Sequence, residues 1–254
     1  MYHTTGFERD EVLEIVERIY RCAMEAREPV GHPPTLGLFN AVRVALTYLR
    51  RNIRQVELAE YFGCSQSTIS RAVASVTPWI EKTFRGHVPV AEDLSPDEQY
   101  VVDGTLVPCW SWADRPELYS GKHKTTGANL QVVCDLEGAL RYVSNALDGR
   151  RHDIAALDAS GVLNGMDAAN WIGDKGYIGR GMITPIRKPE HRDPHQWENE
   201  FNKAINRIRW IIERAIANLK TWRILHIDYR RPYDTFTTTI SAVLGLEFFR
   251  LNAE

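Results

Sequence analysis

The sequence predicts an α+β chain, with an all-helical N-terminal domain followed by a mixed sheet flanked by helices. Three observations carry this. Up to Phe84, apolar residues recur three and four apart, the period of amphipathic helices. From Tyr100 the pattern changes to short apolar runs bounded by Gly, Asp and Pro, the mark of strands. Strand-like and helical segments then alternate, which favours a mixed sheet covered by helices.

The elements follow in order. Residues 8–27 read as a helix with Leu13, Val16 and Tyr20 on one face. His32-Pro33-Pro34 breaks it, and Thr35 caps a second helix through about Arg51 that buries Leu38, Val42, Ala45 and Leu49. Residues 55–62 and 65–76 form two short helices around Gly63. Thr77-Pro78 reads as a cap and first-turn proline of another helix through Phe84. Residues 87–98, with Pro89 and Ser95-Pro96-Asp97, read as a linker between a helical domain (1–86) and a second domain (99–254). There, 100–108 is a strand, and 127–134 and 139–146 form a hairpin through Asp135-Leu136-Glu137-Gly138. A helix at 154–163, strands at 169–173 and 182–187, a long helix at 198–220 and a last helix at 234–251 complete the chain. The long helix buries Phe201, Ile205, Ile208, Ile212, Ala215 and Leu219.

Composition is that of an ordinary globular protein: 254 residues, 44% hydrophobic and 25% charged. No apolar run approaches the ~18 residues of a membrane span, and residues 1–10 lack a signal-peptide pattern. The scattered Cys22, Cys64, Cys109 and Cys134 read as free thiols in a reducing cytoplasm, neither a zinc site nor a disulfide frame. The net charge of −2 hides a segregation. Residues 36–90 carry seven Lys/Arg against three Asp/Glu, residues 91–186 eight against fourteen, and residues 187–231 eleven against six. Basic blocks flanking an acidic centre suit metal-binding carboxylates beside phosphate-binding surfaces.

Residues 55–73 fit a helix-turn-helix. Ala59 is small where two helices approach, Gly63 can take the left-handed turn conformation, Ile69 packs back on Leu58 and Phe62, and Ser65 caps the second helix. Gln66, Ser67, Thr68, Ser70 and Arg71 then stand near the exposed start of a recognition helix, with Arg50, Arg51 and Arg54 available to the DNA backbone. The competing reading is a small helical bundle in which Gly63 merely stops a helix.

Three acids carry the chemistry. Asp103 follows Tyr100-Val101-Val102, Asp174 follows Trp171-Ile172-Gly173, and Glu213 lies on the long helix. Two carboxylates at strand ends and one on a helix can converge on a pair of divalent ions, the arrangement that suits phosphodiester chemistry. Asn206, Arg209, Glu213 and Lys220 share one helix face. Lys122, His123, Lys124, Lys175, Arg209 and Lys220 are candidate phosphate contacts, against the reading of a solvated basic face. His152-Asp153 reads as a helix cap with a packed histidine before it reads as part of a metal site. Trp110 and Trp112 read as core or lid packing before base stacking. Pro189 and Pro194 prevent a regular helix across His191 and His195, so no zinc site is expected there.

Taken in order, several motifs resemble bacterial insertion-sequence transposases of the DDE superfamily, in the branch related to Harbinger-like endonucleases. They are Val102-Asp103-Gly104-Thr105, Tyr119-Ser120-Gly121-Lys122-His123-Lys124, Gly127-Ala128-Asn129-Leu130-Gln131, His152-Asp153, Gly173-Asp174-Lys175-Gly176-Tyr177, and Asn206 with Arg209, Glu213 and Lys220. The resemblance implies an RNase H-like catalytic domain in which Asp103, Asp174 and Glu213 hold Mg²⁺ or Mn²⁺, two ions in all. It also implies cutting at terminal inverted repeats, joining of the 3′-hydroxyl to target DNA, and a homodimer or larger synaptic assembly on double-stranded DNA, associated with the bacterial nucleoid. Asn206 departs from the tyrosine that related families often carry. Two other functions are compatible with these residues: a DNA-binding repressor or domesticated protein with an inert nuclease domain, and a nuclease that cuts without joining.

Overall fold

In the computed structural model, which describes residues 1–110 and 114–252, the chain opens with five helices: α1 (Tyr2–Thr5), α2 (Arg9–Ala26), α3 (Gly37–Arg51), α4 (Gln55–Phe62) and α5 (Gln66–Phe84). The sheet region follows, with β1 (Tyr100–Pro108), β2 (Tyr119–Ser120), β3 (Thr125–Cys134), β4 (Leu140–Val143), β5 (Leu147–Asp148), α6 (Asp153–Ser160), β6 (Trp171–Ile172) and α7 (Gln196–Leu219). Helix α8 (Phe236–Leu251) ends the chain. Among the described residues, no helix is long and apolar enough to cross a membrane.

Contacts divide the chain into two units: Met1–Val88 with Lys220–Glu254, and Pro89–Leu219. The sequence-based partition therefore needs correcting at its C-terminal end. Residues 220 onward leave the sheet and pack with the N-terminal helices, α8 lying along α5. The reason is apolar surface: Trp222, Tyr229, Ile240, Val243, Leu246 and Phe249 are buried, as are Phe7, Ile15, Leu46 and Phe84. Phe249 packs against Phe84 and Phe7, and Phe7 against Trp222. The buried Trp222 ring donates to Glu247, whose carboxylate also pairs with Arg250. Asn52, left-handed at the end of α3, donates to Ile227 O and accepts from Arg230 through its backbone carbonyl. These polar contacts satisfy groups that burial would otherwise penalise.

Two helical expectations fail in instructive ways. α5 runs unbroken through Pro78. Thr77 does not cap a new helix; its hydroxyl donates to Val73 O, and Val76, Thr77, Trp79 and Ile80 are all buried, so packing overrides the proline. In α2 the buried residues are Val12, Ile15, Ile19 and Ala23, while Leu13 and Tyr20 are exposed.

In the second unit β1 is the central strand. It runs antiparallel to β3 from Val101↔Cys134 to Pro108↔Gly127 and parallel to β6 at Tyr100↔Trp171. β3 also pairs with β2, β4 and β5. The expected strand at 182–187 reduces to one parallel bridge, Ile172↔Ile183; Pro185 supplies no N–H to extend it. The expected linker is only partly free, because Leu94 joins the sheet core with Tyr100, Val102, Val133, Leu157 and Trp171. In α7, Ile205, Ile212, Ala215 and Leu219 are buried, but Phe201 is exposed at the helix start. That start is held by Glu198, which accepts from both Arg192 nitrogens and from the His195 N–H. The Arg192 fork holds the Glu198 carboxyl down at about 2.

Gly245 on α8 lies against Phe84, where a Cβ would stand 2.9 Å from the Phe84 Cβ and 3.0 Å from its backbone carbonyl. Gly245→Val should therefore lower unfolding stability by about 1–3 kcal/mol through overpacking, measured by urea denaturation.

Candidate active site and nucleic-acid interface

Strand β1 is buried along its length except at its last residue, Pro108, and at its middle, where Asp103 and Gly104 open to partial exposure. Asp103 is thus mid-strand, not at a strand end as expected. Its Oδ1 accepts from the Gly104 N–H at 2.8 Å and its Oδ2 from Arg209 at 3.0 Å. That ion pair is largely shielded, with 16% of the Asp103 and 13% of the Arg209 side chain exposed. Asp174, two residues past β6, accepts from the Gly176 N–H at 2.7 Å and so turns the chain.

Asp153 is the residue that sequence reasoning undervalued. His152 is the exposed N-cap of α6, and Asp153 is its first residue. Instead of capping, the Asp153 carboxylate accepts from Lys122 at 2.9 Å. It also lies beside Asp174: a methyl group on Gly176 would stand 2.5 Å from Asp153 Oδ2 and 2.8 Å from Asp174 Oδ1. Gly104 is closely approached as well, since a Cβ there would lie 3.1 Å from Gln131 Nε2 and 3.2 Å from Asp153 Oδ1. The two glycines are what let three aspartates share one space. The available signal was the His152-Asp153 pair itself, and only the fold brings it to β1.

Beneath the acids, the buried Tyr177 hydroxyl donates to Gln131 Oε1 at 2.8 Å, and Gln131 Nε2 donates to Asn129 at 3.0 Å. Burial raises the Tyr177 hydroxyl well above its ordinary pKa, and Asp103, Asp153 and Asp174 all push it the same way. Burial also pushes Asp103 up to about 6; Arg209 pulls it back, and Asp174 pushes it further up. For Lys122, burial works to lower the pKa, but Asp153, Asp174 and Asp103 outweigh it and raise it overall. These are the responses of carboxylates and cations crowded at low dielectric.

Glu213 stands one turn beyond Arg209 on α7, exposed, with no ion pair among the described residues. Arg209 bonds to Asp103 rather than forming an intrahelical pair with Glu213. Among the described residues, no three His, Cys, Asp or Glu side chains form a ready metal cage. Asp153 and Asp174 lie together at Gly176, Asp103 on β1 is paired with Arg209, and Glu213 stays exposed on α7.

Beside Asp153 opens a cleft of about 340 Å³ lined by Lys122, His123, Arg150, Arg151, His152 and Gly176, among others. Lys124 (left-handed) and Lys175 are exposed nearby in sequence. Arg150 and Arg151 were not anticipated. Gly149 carries them onto the sheet, where a Cβ would strike Gly127 O and Leu118 O. Lys220 is half-buried and belongs to the helical unit. Trp110 is 55% exposed rather than packed, and Trp112 lies outside the described residues.

In the helical unit the turn after α4 closes as expected. Gly63 is left-handed, its N–H donates to Glu60 O, and the Cys64 N–H donates to Ala59 O. The Ser65 hydroxyl accepts from the Thr68 N–H. Gln66, Ser67 and Arg71 are exposed and Ser70 is half-buried. Thr68 is buried against Ser65 and serves the cap, not an outward-facing reader. Arg50 is likewise structural: it lies over the Trp222 ring at 5.2 Å, and burial lowers its pKa. Arg51 and Arg54 remain exposed, Arg54 pairing with Glu57.

A helix-turn-helix unit and a sheet unit with clustered aspartates over a central strand define a nucleic-acid-processing class. The chain belongs to the DDE superfamily endonucleases, whose family profile matches residues 102–246; the helix-turn-helix of DDE superfamily endonucleases matches residues 34–85. It is similar to the "Putative transposase for insertion sequence element IS112" of Streptomyces albus G, 30% identical over 77% of this chain and 73% of that protein. It is also similar to the "Probable transposase for insertion sequence element IS702" of Microchaete diplosiphon, 24% identical over 97% and 92%. The "Putative nuclease HARBI1" of Mus musculus is 26% identical over 84% of this chain and 65% of that protein. No solved structure gives a significant match.

Tyr177→Phe leaves Gln131 Oε1 buried without its donor. The expected cost is about 1–3 kcal/mol, read from urea unfolding followed by a probe in the sheet unit.

Proposed function

We propose that this chain is a transposase. It binds the terminal inverted repeats of a mobile DNA element, hydrolyses a phosphodiester bond at each end, and joins the freed 3′-hydroxyl to target DNA. The observation that carries the reading is the meeting of Asp103, Asp153 and Asp174 with Arg209 and Lys122 over the central strand. The helix-turn-helix and the printed names of two relatives, both transposases of insertion sequences, support it.

DDE-type endonucleases generally use divalent metal ions, and the residues present fit such a group. Their donors are hard carboxylate oxygens, two of which, Asp153 Oδ2 and Asp174 Oδ1, lie together against Gly176. Magnesium is ordinarily held by one or two carboxylates together with water and substrate phosphate, so the lack of a ready three-acid cage does not conflict with it. In this reading Asp103, Asp174 and Glu213 would hold two ions, Mg²⁺ or Mn²⁺. Such ions supply an activated water and charge stabilisation on the leaving oxygen.

The protein's own groups do the remaining work. In hydrolysis a water oxygen attacks phosphorus, the bond to the 3′ oxygen breaks, and that oxygen leaves as a 3′-hydroxyl after taking up a proton; in joining, that 3′-hydroxyl loses its proton and attacks phosphorus in the target, whose own bond to its 3′ oxygen breaks and leaves a target 3′-hydroxyl. Lys122, Lys175, Arg209 and the Arg150–Arg151 rim position phosphates, His123, Lys124 and Lys220 extending that set. Gln66, Ser67, Ser70 and Arg71 face the major groove, and Arg51 and Arg54 its backbone. Two ends must be held together, so two copies act together.

Purified protein with Mg²⁺ should nick labelled element-end DNA and transfer it to a target. Asp103→Asn, Asp174→Asn and Glu213→Gln should bind DNA normally and lose cleavage, and Asp153→Asn should show whether the fourth acid shares that role. Normal cleavage by Glu213→Gln would remove it from the ligand set. Binding without cutting would favour the repressor reading, and cutting without joining a simple nuclease. Arg71→Ala should weaken end binding by about 1–3 kcal/mol in a fluorescence-anisotropy titration while leaving the fold intact.

A further inference from the structure

Helix α2 carries two apolar stripes. The first, Val12, Ile15, Ile19 and Ala23, is buried in the core of the helical unit. The second, Leu13, Val16, Tyr20 and Met24, runs at steps of three and four residues along a neighbouring face. Leu13, Tyr20 and Met24 keep 45%, 56% and 62% of their surface exposed. Leu13, Val16, Tyr20 and Leu38 of α3 line a shallow groove rimmed by Asp10, Glu14 and Glu17. Single exposed apolar residues are ordinary, but a stripe along four helical positions with an acidic rim marks an interaction surface.

The charges on this helix say what fits there. Residues 9–17 carry one arginine against four acids, and residues 18–27 carry three arginines against one glutamate. The helix is therefore complementary to itself when reversed. Laid parallel on a copy, Asp10 would face Asp10 and Glu14 would face Glu14, a like-charge arrangement.

We propose that this face is the contact between two copies of this chain, α2 packing antiparallel on α2 about a two-fold axis near Arg18 and Ile19. Leu13 of each copy then meets Met24 of the other, and Asp10 meets Arg27. Such a contact is isologous, as closed two-fold dimers require. The existing Glu14–Arg18 and Glu17–Arg21 pairs, 2.7 Å each, are solvent-exposed and can exchange partners at little cost. One helix pair makes a small interface, so dissociation is expected in roughly the micromolar range. The inference gives a surface to the two-copy assembly of the proposed function, but the dimer needs neither DNA nor metal.

The test is sedimentation velocity on the full chain, without DNA, from well below to well above the micromolar range. The wild type should pass from monomer to dimer with concentration. Tyr20→Glu combined with Met24→Glu should stay monomeric with unchanged circular dichroism and thermal midpoint, since both positions are exposed. Asp10→Arg should weaken the dimer at least several-fold, and Asp10→Arg combined with Arg27→Asp should restore it. A wild type that stays monomeric throughout, a Tyr20/Met24 variant that still dimerises, or a charge swap without rescue would each overturn the proposal. None of these readouts involves strand cutting, so their failure is distinct from failure of the transposase reading.

Discussion

The site depends on one electrostatic constraint: three aspartates share a partly buried space that favours neutral groups. Asp103, Asp153 and Asp174 each push the pKa of the buried Tyr177 hydroxyl upward. Like charges at this range are tolerated only with compensation. The protein supplies it with Arg209 on Asp103 and Lys122 on Asp153. Both are residue types that also bind phosphate, so the groups that keep the acids in balance are suited to receiving a DNA strand.

That balance is built from backbone precision. The side-chain-free Gly104 and Gly176 let three elements approach, since a Cβ would crowd Gln131 and Asp153 at Gly104 and strike Asp153 and Asp174 at Gly176. Gln131 sits directly across from Gly104 in the β1–β3 register and is fully buried. Its bonds to Tyr177 and Asn129 tie the loop after β6 to β3. A buried polar network of this kind rigidifies a site only when its members are satisfied. Here they are, so the aspartates rest on a fixed floor.

Elements whose signals are local were legible in the sequence. The strand at 100–108 and the helix at 55–62 have the bounds expected, because an apolar run ended by Pro108 and a left-handed Gly63 are self-contained. The helix-turn-helix cap at Ser65 was legible for the same reason. What escaped depended on tertiary context. Both faces of α2 are apolar, so periodicity could not choose which one to bury. Pro78 looked like a boundary, yet the buried residues around it outweigh one lost hydrogen bond. Thr68 and Arg50 have the chemistry of DNA contacts, but a hydroxyl near a cap and a guanidinium over Trp222 are spent inside the fold. The sharing of the C-terminal helix with the N-terminal unit is a long-range pairing that no local pattern encodes.

Asp153 and Glu213 illustrate the same distinction at the site itself. Asp153 looked like a cap because it opens a helix, and a helix start is the usual place for an aspartate. Its neighbour His152 takes the cap position, which frees the Asp153 carboxylate for Lys122. Glu213 looked like a ready ligand because it shares a face with Arg209, and Arg209 does reach Asp103. A glutamate one turn further along a straight helix stands about 6 Å away at Cβ, and here it remains exposed. Helix α7 therefore commits its arginine to Asp103 and leaves its glutamate exposed. A rigid cage would exclude substrate oxygens, whereas hard divalent ions in phosphoryl chemistry take some of their ligands from the substrate.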